Sequence, residues 1–144
     1  MSAIRRERDT QDRVIRLFRE ELGYRYLGDW SDRPGNSNIE EGLLTPYLIG
    51  AGYSMEQVSR ALYLLRNEAD NLNRSLYDNN KAVYSLLRYG VPVKTAAGED
   101  TQTVKVINWE EPEKNDFAIA EEVTLRGPLE RCQRRFENRI DWPV

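Results

Sequence analysis

The chain has 144 residues, a net charge of −3, 40 % hydrophobic and 31 % charged residues. These values suit one domain with a core, and exclude a disordered tail and a strongly basic nucleic-acid wrapper. With no histidine and one cysteine, Cys132, the chain has no Ser-His-Asp or Cys-His dyad, no His-based or Cys-rich metal site and no internal disulfide. Chemistry falls to carboxylates, Lys, Arg, Tyr or a metal held by oxygen ligands. No apolar run reaches the length of about 18 residues that a membrane span needs. The start, MSAIRRERDT, lacks the apolar segment of a signal peptide. The expectation is a soluble cytoplasmic protein with no membrane contact.

Residues 8–22 (RDTQDRVIRLFREEL) predict an amphipathic helix with Val14, Ile15, Leu17, Phe18 and Leu22 on one side. Asp9 or Thr10 is the expected cap and Gly23 the stop. Arg13, Arg16 and Arg19 face the other way, as a phosphate-facing stripe or, more commonly, a solvated face, because Asp12, Glu20 and Glu21 interleave with them. Residues 24–37 read as a loop with a short strand at Tyr24–Leu27 and a turn at Pro34-Gly35. Residues 38–49 (NIEEGLLTPYLI) read as a helix capped by Asn38, with Glu41 at the third position of a capping box and Pro46 predicting a kink or break. Ser54 with Gln57 forms a second capping box, opening a helix that runs to about Asn73. The next helix is expected from Asp78, with Val83, Tyr84, Leu86 and Leu87 buried and Gly90 as terminator.

After Gly90 the period changes to two. Val91–Lys94 and Thr103–Asn108 flank the polar turn 96–101 as a hairpin, and residues 116–125 (DFAIAEEVTL) read as one strand interrupted by Glu121. The last stretch, 126–144, carries five arginines and reads as a short helix at 129–140 rather than more sheet. Helices first and strands late predict an α+β (or α/β) fold with a small mixed sheet.

No phosphate-binding loop is present, which argues against ATP binding. Carboxylate doublets stand at Glu20-Glu21, Glu40-Glu41, Glu110-Glu111 and Glu121-Glu122. Glu40-Glu41 opens a helix, where the dipole favours a carboxylate in any protein. Residues 99–122 hold eight carboxylates against two lysines, which suits a divalent cation or, more commonly, a solvated loop. Tyr24, Tyr26, Trp30, Tyr77, Tyr84, Tyr89 and Trp109 sit near polar turns; base stacking is one use and core or rim packing the commoner one.

Four runs, QDRVIRLFREELGYRYLGDW (11–30), NSNIEEGLLTPYLIGAGYS (36–54), LYDNNKAVYSLLRYGVPVK (76–94) and VKVINWEEPEKNDFAIAEEVTLRG (104–127), together resemble the amino-terminal region of the R (restriction) subunit of type I restriction–modification enzymes. The resemblance implies a nuclease domain of the PD-(D/E)xK restriction-endonuclease kind, a mixed sheet flanked by helices. It implies Mg²⁺ held by an Asp and by the Glu of a Glu-x-Lys motif, assisted by an upstream acid. That accessory acid maps to Glu41, with Glu40 as alternative; no other catalytic, cofactor-binding or metal position is carried over. Mg²⁺ and ATP belong to the full-length enzyme, and no cofactor is expected for this stretch. The implied partners are DNA, bound weakly or indirectly, and the methyltransferase and specificity subunits.

The sequence departs from the family after Gly127. Instead of an Asp strand and a Glu-x-Lys strand, it continues Pro128-Leu129-Glu130-Arg131-Cys132-Gln133, and Asp141 stands in an unrelated context. Residues 1–127 are therefore expected to be the front of a restriction-endonuclease-like domain and 128–144 a divergent Arg-rich tail, native or frameshifted. An open sheet edge would invite a homodimer. Three readings follow: a fragment of the R subunit without cleavage of its own, a folded module that binds DNA or the restriction complex, and a small metal nuclease using Glu41, Asp116 and Glu121.

Overall fold

A computed structural model describes the backbone of residues 2–126 and 133–135 and the side chains of residues 7–125. The fold is α+β. Among the described residues four α-helices, α1 Ser2–Arg16, α2 Glu41–Gly50, α3 Met55–Ala69 and α4 Leu76–Tyr89, accompany six short strands. The strands are β1 Arg25–Asp29, β2 Val91–Val93, β3 Gln102–Val104, β4 Ala118–Glu121, β5 Thr124–Arg126 and β6 Gln133–Arg135. They pair two by two: β1 with β4 in parallel, β2 with β3 and β5 with β6 antiparallel. The chain divides into two compact units, residues 1–38 with 117–144, and residues 39–116.

The 39–116 unit holds the core. Leu48, Val58, Ala61, Leu62, Leu65, Val91, Val93, Val104 and Val106 are buried together. The capping box that opens α3 forms as the sequence predicts: Ser54 Oγ accepts from the Gln57 amide, and Gln57 Oε1 from the Ser54 amide. The hairpin also forms, with Val91 opposite Val104 and Val93 opposite Gln102. Gly90 ends α4 at φ +93°, and a Cβ there would stand 2.4 Å from Thr103 Cγ2, so neither backbone nor space admits a side chain. Buried Asn79 ties α4 to the chain before it. Its amide donates to the Ala69 and Asn71 carbonyls, and its Oδ1 accepts from Arg74 Nε.

Several local expectations are corrected. The first helix begins at Ser2, not residue 8, so Asp9 and Thr10 lie inside it instead of capping it. It passes into a π-helical turn, Leu17–Glu21, before Gly23 turns the chain at φ +71°. The short strand lies at Arg25–Asp29, two residues beyond its expected end. Asn38 caps nothing: α2 starts at Glu41, with Glu40 as its first flanking residue and no side-chain cap bond. Glu41 is thus the first helical residue rather than the third. Pro46 does not break α2, which runs on to Gly50. The hydrogen bond it forfeits would have gone to Gly42, an exposed residue whose carbonyl water can serve.

The cap of α4 is Ser75, whose Oγ accepts from the Asp78 amide, so the helix begins two residues before the expected Asp78. Tyr84 is exposed, not buried. The single strand over 116–125 is two strands, broken where Glu122 takes φ +52°. The expected helix at 129–140 is absent at Gln133–Arg135, which is extended and paired with Thr124–Arg126. The rest of that stretch, with Cys132 and Asp141, lies outside the described residues.

Candidate functional site

In the unit formed by 1–38 and 117–144, parallel strands β1 and β4 are in register at Arg25–Ala118 and Tyr26–Ile119. A bulge then admits Leu27 as an extra residue before Gly28 pairs with Ala120 and Asp29 with Glu121. Ile119 and Glu121 share a face of β4 because strand side chains alternate, so Tyr26 reaches Glu121 diagonally across the pair. The Tyr26 hydroxyl donates to Glu121 Oε2.

From α1, Gln11 Nε2 donates to Glu121 Oε1 at 3.1 Å and to Glu122 Oε1 at 3.2 Å. Arg8 Nη1 stands 3.5 Å from the same Glu121 oxygen and Arg8 Nε 3.2 Å from Asp12. Glu121 is 6 % exposed. A carboxylate so enclosed is costly unless paired, and here every neighbour named donates to it. Its hydrogen bond, then partial burial and its negative charge, hold the Tyr26 hydroxyl above the ordinary tyrosine value. Arg19, 4.6 Å above the Tyr26 ring, opposes this more weakly.

These residues line a cleft of about 510 Å³. Arg8, Arg16 and Arg19 line it together with Asp12, Glu20 and Glu121, three guanidinium groups and three carboxylates. Two members of the predicted arginine stripe therefore reach a shared site. The balanced charge makes that site a polar network rather than a phosphate-attracting patch.

Glu41, the accessory acid expected from the resemblance, sits in the other unit. Its Oε1 accepts from Arg66 Nε of α3 at 3.0 Å, with 39 % of the Glu41 side chain exposed. The pair joins two helices across their solvent side. Asp116 is exposed and belongs to the same unit as Glu41, whereas Glu121 belongs to the first. Among the described residues no three acids converge on a point where they could hold a metal ion. Glu121 stands out in the sequence as part of an acidic doublet, as an interruption of a strand and as a candidate metal-site acid grouped with Glu41 and Asp116. Its partners, Gln11 and Tyr26, lie 110 and 95 residues away, beyond the reach of any local pattern.

The aromatic residues divide by unit. Tyr24 packs edge-on to Phe18 at 4.8 Å and stacks on Phe117 at 5.1 Å. Trp30 donates its indole N–H to the Leu27 carbonyl and lies under Arg33. Tyr77, Tyr84, Tyr89 and Trp109, in the other unit, are 50–74 % exposed. Among the described residues no helix is long and apolar enough to cross a membrane.

No curated protein and no solved structure matches the chain. A family model, that of the type I restriction enzyme R protein N terminus, matches residues 4–142, running on through most of the stretch that the sequence sets apart after 127. The four resembling runs all lie inside that match, and on this coverage the chain belongs to the type I restriction enzyme R protein N-terminus family.

Proposed function

We propose that this chain serves type I restriction as a non-cleaving amino-terminal region, built on the plan of a restriction-endonuclease-like domain over residues 1–127. The observation that carries the reading is the state of its acids. A metal nuclease of the implied kind needs free carboxylate oxygens gathered around Mg²⁺, with a lysine beside them. Here Glu121 Oε1 is occupied by Gln11 and Arg8, and Oε2 by Tyr26. Glu41 is neutralised by Arg66. This donor set does not fit the ion.

The partners in this reading are DNA, held weakly or through the complex, and the methyltransferase and specificity subunits. A second copy is the partner for the outer edges of the two-stranded pairs. The place of action is the cytoplasm. The test is nicking of supercoiled plasmid by the purified chain with Mg²⁺ or Mn²⁺. No nicking is expected, while retention of the chain by immobilised methyltransferase and specificity subunits is. Metal-dependent nicking that disappears in Glu121→Ala or Glu41→Ala would sink the reading and restore the small metal nuclease.

A further inference from the structure

The outward side of α4 has a pattern that the proposed function leaves unused. Tyr77, Lys81, Tyr84 and Arg88 follow at i, i+4, i+7 and i+11, which confines them to about 60° of arc over a rise of about 16 Å. Leu86 turns the opposite way and Val83 and Leu87 lie to the side, Leu86 and Leu87 packing against the core. Tyr77 is 74 % exposed and Tyr84 62 %. At the C-terminal end, the Arg88 guanidinium lies 5.3 Å from the Trp109 ring and 5.8 Å from that of Tyr89. Trp109 is fixed by its indole N–H, which donates to the Leu87 carbonyl, so its ring remains a rigid wall half open to solvent.

The acids beside Trp109 are paired, Glu110 with Lys105 and Glu111 with Lys114. Lys81 makes no ion pair with any described residue, and Arg88 meets only rings. The nearest acid on the helix, Asp78, accepts from the Ser75 hydroxyl at the cap. Aromatic faces alternating with unpaired cations are what a single strand of nucleic acid requires. Bases stack on the rings while phosphates follow the cations. A duplex offers no free base faces, and an apolar protein partner would leave Lys81 without a counter-charge.

We propose that the Tyr77–Lys81–Tyr84–Arg88 face of α4, extended by Trp109, is a stacking surface for a single-stranded polynucleotide. This rests on the DNA partner of the proposed function and gives it a surface, but needs no cleavage, so a nicking assay and a binding assay can fail separately. The experiment is a titration of the full chain into a short fluorescein-labelled oligothymidylate, followed by anisotropy at two salt concentrations. Binding is expected, and Tyr84→Ala should weaken it by about tenfold or more, while Tyr84→Phe keeps it.

Lys81→Ala should flatten the logarithmic salt slope by about 0.7. Because Tyr84 is exposed, unchanged thermal melting of Tyr84→Ala will show that the fold is kept. The proposal is overturned if the wild-type chain does not bind, or if Tyr84→Ala binds like wild type. It is equally overturned if sedimentation shows a dimer that Tyr84→Ala dissolves while oligonucleotide binding is absent, which would give the face to a second copy of the chain.

Discussion

Residues 39–116 bury nine hydrophobic side chains, whereas among the described side chains of the other unit the only buried one is the carboxylate of Glu121. The two units are therefore held in different ways. In 39–116, apolar faces of α2, α3 and the β2–β3 hairpin leave water together, which stabilises whatever the local detail. In the other unit the apolar stripe of α1 is half open: Val14 is 43 % exposed, Leu17 42 % and Leu22 54 %. Order there rests on a buried acid and its donors, which stabilise only while the set is complete.

The sharpest test of this contrast is a pair of truncations. Leu65→Ala removes a side chain that is 2 % exposed and should lower unfolding free energy by about 2–5 kcal/mol in urea. Leu17→Ala, at the half-open stripe, should cost well under half as much. Equal losses would show that α1 is buried in solution. Next comes Glu121→Ala, which strands Arg8, Gln11 and the Tyr26 hydroxyl. It is expected to cost about 1–3 kcal/mol, and a variant as stable as wild type would remove the polar network from the account.

A cap should matter less. Ser54→Ala removes the bond that Ser54 Oγ accepts from the Gln57 amide, leaves the Ser54 amide bonded to Gln57 Oε1, and should cost about 1 kcal/mol by the same denaturation. Smallest of all is Glu41→Ala. Its pair with Arg66 is half solvated, so a loss below about 1 kcal/mol is expected. A larger one would mean that this carboxylate does more than join two helices.

The network also has a signature in pH. Glu121 raises the Tyr26 pKa in the folded chain, so the folded state holds that proton more tightly than the unfolded one. The resulting stabilisation is fully present below the ordinary tyrosine value and is lost as pH rises through the elevated one. Phenolate absorbance should locate Tyr26 above the ordinary tyrosine value, and Glu121→Gln should bring it down. Asp29 has the opposite sign. The Ser31 hydroxyl and then its amide hold the carboxyl below the usual range. Its contribution is present above the ordinary carboxyl value and fades as pH falls through the depressed one.

Sequence legibility follows the same division. The Ser54–Gln57 box, the stop at Gly90 and the hairpin on either side of 96–101 were readable because each depends on residues close in the chain. The Asn38 box failed for a related reason. The pattern names residues that could cap a helix, but packing of Leu44 and Tyr47 against the core decides where α2 begins. Tyr84 fits an apolar helical stripe by spacing yet lies exposed, because a tyrosine satisfies either side of a helix boundary. The strand over 116–125 was legible as extended chain. Its break at Glu122 was not, since Gln11 reaches that residue from the opposite end of the sequence.

By itself the sequence determined the fold class, the hairpin, most of the helices and membership of the restriction R-subunit amino-terminal family. Those properties rest on local pattern and on ordered runs of residues that need no coordinates to recognise. Only the tertiary structure decided which acids are occupied. A carboxylate is a ligand, a cap or half of an ion pair according to what stands within a few ångströms of it. For Glu41 that neighbour is Arg66 on another helix, and for Glu121 it is a tyrosine, a glutamine and an arginine from the far end of the chain.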